Sequence, residues 1–481
     1  MENEDKEKLI AAKIIPLLVI VGISALLWFI EPPEGLTLPA FHTAIIFVAM
    51  IAAIITNTLP MGAIALTGVA IYALLRAGGE ESAAEAIGVP LSALNNLVIW
   101  MIVIAFLIAR SFSKTGLGRR IALLLLGKFG KSTLHVAYCL GVADFFISPI
   151  TPSNAARAAI ISPIADALAK VINSKDRKLG QYFISSTSAM NDASSIGCMT
   201  GAGANIALLG ISATVLGIEL SFSNWLQYLL LPALFLLLTI PYILYKVIGP
   251  QTRATPEAKQ FAQQELDKIG PLTMAESKLL LVFIALLVMW VGGQTLGIHT
   301  TTAAITGLSL LLLTGVLNWE DVKTEKGAWD TLIWLGIFVG MAKQLQIFGF
   351  IDWVGNNVAS IISAGAGDSQ PIITLSMMMA FYMCTAYFFA SATARIIAVT
   401  PIILQTLVIL GISPMIALLS VAGIGCVASN LTAYSHVRNS LLMGYGYHTS
   451  NEWMKIGLVI AGAGSVIFMT TGMIWWQVLG V

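Results

Sequence analysis

Two arginines stand in matched apolar settings, each four residues after a serine: SNAARAAIISP over 153–163 and SATARIIAVTP over 391–401. A guanidinium in such sequence is expensive if it enters a membrane, about 2.5–3.5 kcal/mol even on the lenient insertion scale. A chain that places Arg157 and Arg395 in the same context twice is expected to be duplicated around one shared site. That site should hold an anion.

The residues before each arginine have the chemistry for it. Ser148, Pro149, Thr151, Pro152, Ser153, Asn154 and Ala155 interrupt the first apolar stretch, and Ser391, Ala392 and Thr393 the second. Proline stops a helix and Ser, Thr or Asn caps the next one. A half-helix starting at Ser153 or Ser391 would aim unpaired N–H groups and its positive end at an anion. Asp144 and Asp192 are the acids expected near Arg157, whereas the second half offers no counterpart for Arg395.

Small residues then recur downstream of each motif. Gly197, Gly201, Gly203 and Asn205 fall in one run, Gly423, Gly425, Asn430 and Thr432 in the other, and Ile-Gly-Cys occurs at 196–198 and 424–426. Glycine permits unwinding, and freed carbonyls there can line a cavity or hold a cation. Close helix packing is the alternative use of the same residues. His436 is expected either to touch substrate or to pack, and Arg438 to lie near the cytosolic face.

The elements that carry these residues belong to a membrane protein. Of 481 residues, 57% are apolar and 11% charged, against about 25% charged in a soluble chain. The mean hydropathy is +0.86. The fold expected is all-α and polytopic, with about 11 transmembrane helices near 14–30, 41–58, 62–77, 95–112, 180–210, 225–248, 277–296, 300–317, 329–350, 413–440 and 453–477. The stretches 133–170 and 370–410 are broken at their middles and read as re-entrant hairpins. Amphipathic segments at 118–132 and 348–362 read as interfacial helices.

Most of the 26 basic residues fall on one set of loops once the N-terminus is placed in the cytosol, and the opposite loops carry Glu31, Glu34, Glu80, Glu81, Glu85 and Glu219. That orientation puts the C-terminus outside. It sends the two hairpins in from opposite faces, so the repeats are inverted, as in secondary transporters. The division expected is an N-terminal helix and loop (1–40), a first repeat (41–250), a cytosolic linker (251–276) and a second repeat (277–481).

Other classes are disfavoured. Gly130, Lys131 and Ser132 mimic a phosphate loop, but Leu125 stands where its first glycine belongs. No HExxH, GxSxG or metal-ligand cluster is present, so the chain reads as a non-enzyme needing no cofactor and binding no nucleic acid. Cys139, Cys198, Cys384 and Cys426 lack CxxC spacing and are expected to be packed thiols.

With these motifs the chain resembles the divalent anion/sodium symporter family of di- and tricarboxylate carriers. That family has two Ser-Asn-Thr motifs at inverted hairpin tips, appearing here as Ser153, Asn154, Ala155 and Ser391, Ala392, Thr393. The Thr151–Arg157 stretch is most similar to the branch of citrate/succinate and 2-oxoglutarate/malate exchangers. The resemblance implies a homodimer embedded in lipid and an elevator movement of a transport domain spanning roughly 130–220 and 369–445. It also implies that the hairpin hydroxyls and Asn154 hold substrate carboxylates. Ala155 and Ala392 depart from the motif and place sodium binding in doubt. The reading is therefore a sodium-independent exchanger of C4/C5 dicarboxylates (succinate, malate, fumarate, 2-oxoglutarate) in a bacterial inner membrane. A sodium-coupled dicarboxylate or citrate symporter and an anion channel are the alternatives.

Overall fold

The computed structural model describes the backbone of residues 2–366 and 371–481 and the side chains of 14–363 and 371–481. The first residue of the expected second hairpin, 370, and the side chains of Lys6, Lys8 and Lys13 lie outside that description.

Among the described residues every regular element is a helix, and one isolated backbone bridge joins Ser132 to Ala254. Among the described residues seven helices are long and apolar enough to cross a membrane, and an eighth is counted if Lys326–Ile347 and Phe350–Ser363, bent by 70°, form one span. Shorter apolar helices such as Met61–Leu75 and Thr300–Leu313 occupy other expected span positions. The chain is a polytopic helical membrane protein.

Each sequence break takes a defined form. The first hairpin is Thr133–Ile147 followed by Asn154–Asn173, and the second is Pro371–Cys384 followed by Ala392–Ile409. Both return helices carry an internal proline, Pro163 and Pro401. The first small-residue run splits a helix into Arg177–Gly197 and Gly203–Val215, and the second separates Pro414–Val427 from Val437–Met443. The amphipathic segments are the helices Leu117–Phe129 and Phe350–Ala366.

Helix Arg177–Gly197 is polar along much of its length, yet every residue from Leu179 to Gly197 is buried. A helix buried on all sides needs partners for its polar side chains, and those partners turn out to be the site. The linker after residue 250 is also more than a tether. Gln251 and Thr252 donate backbone N–H groups to Asp176 Oδ2 (3.0 and 3.1 Å), while Thr133 Oγ1 donates to the Thr252 carbonyl (2.6 Å). The two ends of the first hairpin are thus stitched together by one strap. Nearby, Arg120 makes a buried pair with Glu276 (2.7 and 3.1 Å) and donates to the Gly270 carbonyl (2.8 Å).

Cys139, Cys198 and Cys426 are buried thiols, but Cys384 is exposed, which corrects its expected packing. Its helix presents one face to the outside of the bundle, where a thiol behaves as a small apolar group.

Close backbone packing generates a stability prediction. A Cβ on Gly457 would fall on the Asn430 carbonyl oxygen, whereas one on Gly462 would meet nothing within 4 Å. Gly457→Ala should destabilise the detergent-solubilised protein by about 1–3 kcal/mol, and Gly462→Ala should leave it unchanged or slightly more stable. Thermal unfolding of the two variants side by side checks this.

Candidate anion-binding site

Both hairpin tips and both helix breaks open onto one cavity of about 220 Å³. Its walls are Pro152, Ser153, Asn154 and Ala155 from the first tip, Ser391, Ala392 and Thr393 from the second, Gly203 and Ala204 from the first break, His436 and Val437 from the second, and Phe106 from helix Leu97–Thr115. Larger cavities exist, including an apolar one of about 450 Å³ lined by Leu17 to Leu75. None of those is lined by a hairpin tip or a helix break, so size is a poor guide here.

Four helices begin at this cavity: Asn154–Asn173, Gly203–Val215, Ala392–Ile409 and Val437–Met443. The first turn of each carries N–H groups without intrahelical partners, and the dipoles add positive potential at the same point. Ser153 Oγ accepts from Ala156 N (3.2 Å) and Ser391 Oγ accepts from Ala394 N (3.3 Å). Each cap thereby satisfies one orphan donor while its own hydroxyl proton stays free. His436 caps the fourth helix, its Nδ1 accepting from Arg438 N (3.1 Å), which assigns the proton to Nε2. The wall is built mainly of donors and suits an anion.

A charge network fills the space behind the wall. Asp192 takes Arg438 bidentately, at 2.5 Å from Nη1 and 3.0 Å from Nη2. Arg438 Nη1 also donates to Asn191 Oδ1 (3.0 Å), and Asn430 donates its amide to Asp192 Oδ2. Asn154 Nδ2 reaches the same cluster, donating to Asp192 Oδ1 (3.3 Å) and Ser195 Oγ (3.0 Å). Arg438 is fully buried. Its partner lies 246 residues away in sequence, so no local pattern marks it.

The two repeated arginines are placed alike but neutralised differently. Arg157 forms a 3.1 Å ion pair with Asp144 and donates to Ser195 Oγ (2.5 Å) and the Asn191 carbonyl (3.2 Å), within the last two turns of helix Arg177–Gly197. Arg395 donates to the Gly425 carbonyl near the end of helix Pro414–Val427 and lies over the Tyr382 ring, 5.2 Å from its centroid. Among the described residues no carboxylate pairs with Arg395, and its Nε and Nη1 have no acceptor. Both are buried and neither lines the cavity.

The other expected break residues also sit behind the wall. Gly423 packs on Phe468, Gly425 against the Tyr382 hydroxyl, Gly197 between Phe145 and Ala233, and Gly201 against Ser195. Asn205 donates to the Ser195 and Cys198 carbonyls (2.7 and 3.1 Å), and Thr432 Oγ1 accepts from Ser435 N (2.9 Å). Phe106 was not foreseen, being one more apolar residue in an apolar helix.

The chain's relatives are transport proteins. Residues 11–481 match the family described as "Sodium:sulfate symporter transmembrane region". YflS of Bacillus subtilis, whose name assigns it provisionally to malate, is 36% identical over 100% of this chain and 99% of its own. Dicarboxylate transporter 2.1, chloroplastic, of Arabidopsis thaliana is 36% identical, covering 98% of this chain and 83% of that one. In fold, the crystal structure of the Alcanivorax borkumensis YdaH transporter is similar, with TM-score 0.57 at 11% identity over 92% of this chain and 99% of that one.

Removing one member of the buried pair should show how much it holds. Arg438→Ala strands Asp192 and should lower stability by about 3–5 kcal/mol, whereas Arg438→Met with Asp192→Leu should recover most of it. Thermal unfolding checks both, and a wild-type melting curve for Arg438→Ala would refute the account.

Proposed function

Because the chain belongs to the sodium:sulfate symporter transmembrane-region family, we propose that it is a secondary transporter exchanging C4/C5 dicarboxylates across a bacterial inner membrane without sodium. The observation that carries this reading is the cavity framed by two hairpin tips and two helix breaks, with Arg395 behind it free of any described carboxylate. Two repeat-related sets of N–H groups and hydroxyls suit a molecule with a carboxylate at each end. The relatives named as dicarboxylate transporters support that substrate class.

The arginines support exchange. Beside each break a guanidinium donates to a carbonyl of the preceding helix, Asn191 in the last two turns of one and Gly425 near the end of the other. Such carbonyls are where a coupling cation would otherwise bind. Fixed positive charge thus takes the place of a sodium ion. Arg157 is balanced by Asp144, so Arg395 is the charge that senses cargo. An empty carrier would have to move with that cation uncompensated, at a cost of about 2.5–3.5 kcal/mol or more. A bound dianion, held also by four helix N-termini, compensates it, and return then requires a counter-substrate.

The hairpins and broken helices, roughly 130–220 and 369–445, form the moving body in this reading, against a scaffold of the remaining helices in a homodimer. The N-terminus is cytosolic and the C-terminus external. The second reading is sodium-coupled symport, favoured by the family's description. Proteoliposomes separate the two. Exchange is expected to need internal dicarboxylate, to ignore sodium, and to fall at least tenfold in Arg395→Ala. Sodium-driven accumulation into vesicles without internal substrate, or full exchange by Arg395→Ala, would sink the proposal.

A further inference from the structure

Asn154 meets the cavity with the wrong end of its amide for a carboxylate. The residue is 6% exposed and lines the cavity wall. Its NH₂ group is turned away, donating to Asp192 Oδ1 (3.3 Å) and Ser195 Oγ (3.0 Å). That orientation follows from the neighbours. Asp192 is held as a carboxylate by the bidentate Arg438 and can only accept. Ser195 sends its own proton to the Asn191 carbonyl (2.8 Å) and so also accepts. A reversed amide would set oxygen against oxygen at both contacts. Because the amide is planar, Oδ1 points away from this pair, and it has no partner among the described residues.

We propose that Asn154 Oδ1 is a specificity-determining acceptor that reads a hydrogen-bond donor, a hydroxyl or an ammonium, on the carbon next to one substrate carboxylate. This rests on the dicarboxylate reading above. The rest of the wall offers mainly donors: backbone N–H groups at the tips, the hydroxyls of Ser153 and Ser391, and His436 Nε2. A plain dicarboxylate brings only acceptors, and leaves Oδ1 facing a methylene group without its water. A site built around a polar group discriminates against the analogue that cannot satisfy it. The 2-hydroxyl of malate or the 2-ammonium of aspartate supplies the missing proton.

The purified full-length protein tests this without mutation. Thermal shift and counterflow in proteoliposomes are measured with L-malate, L-aspartate, succinate and 2-methylsuccinate, the last replacing the donor by a methyl group of similar size. Malate or aspartate should half-saturate at about one-tenth the concentration needed for succinate or 2-methylsuccinate, the effect of one net hydrogen bond. The stronger of the two identifies the donor as hydroxyl or ammonium. In Asn154→Ala the preference should shrink to within about twofold. Succinate or 2-methylsuccinate matching both donor-bearing compounds in the wild type overturns the proposal, as does an undiminished preference in a folded Asn154→Ala. Should that variant not fold, the ligand series decides alone. Response to none of the four overturns the transport reading and this one with it, whereas response without ranking overturns this one alone.

Discussion

The ion pair between Asp192 and Arg438 ties the two halves of the protein together, and the site depends on it. The Arg438 side chain is fully buried and that of Asp192 is 3% exposed. Burying a charge pair costs several kcal/mol per ion unless its remaining valences are filled. Here Asn191, Asn430 and Asn439 fill them, and each is anchored further. Asn430 Oδ1 accepts from Ser188 (2.7 Å), and Asn439 donates to the Ser429 carbonyl (2.7 Å). The cluster therefore fixes the position of helix Arg177–Gly197, the second break, and through Asn154 the first hairpin tip. Three of the segments that surround the cavity share one electrostatic anchor.

Breaking helices inside a membrane protein creates orphan backbone groups, and their partners explain many small polar residues around the cavity. Gly203 N donates to the Pro152 carbonyl (2.7 Å), which ties the first break to the first tip. Thr200 Oγ1 donates to the Pro149 carbonyl (2.5 Å), and Ser435 Oγ to the Ser429 carbonyl (2.8 Å). Each repeat then separates its two helix ends by charge. The negative C-terminal ends receive Arg157 and Arg395, while the positive N-terminal ends of the next half-helices face the cavity. Cations and an anion can share a small volume because the dipoles between them point the right way.

Much of this was legible beforehand. Ser153 and Ser391 announce helix starts through a cap three residues long, and the structure places both caps on one cavity. The glycine runs foretold breaks, although most of those glycines serve packing and only Gly203 and His436 of the expected break residues reach the wall. Asp144 and Asp192 are both expected near Arg157, and of the two Asp144 pairs with it while Asp192 pairs with Arg438. The lengths of the spans were less readable, since apolar runs such as Met61–Leu75 continue or stop according to tertiary neighbours.

The sequence alone determined that the chain is a polytopic helical membrane protein, that its Ser-x-x-x-Arg motif occurs twice, and where the helices beside those motifs start and break. Those features follow from short-range physics: hydrophobic length, proline sterics, and caps that satisfy N–H groups within a turn. Tertiary structure decided that Arg438 is fully buried against Asp192, and which end of the Asn154 amide faces the cavity. These depend on partners 38 to 247 residues apart. Electrostatic compensation in a low-dielectric interior is set by distance in space, and no local spacing encodes it.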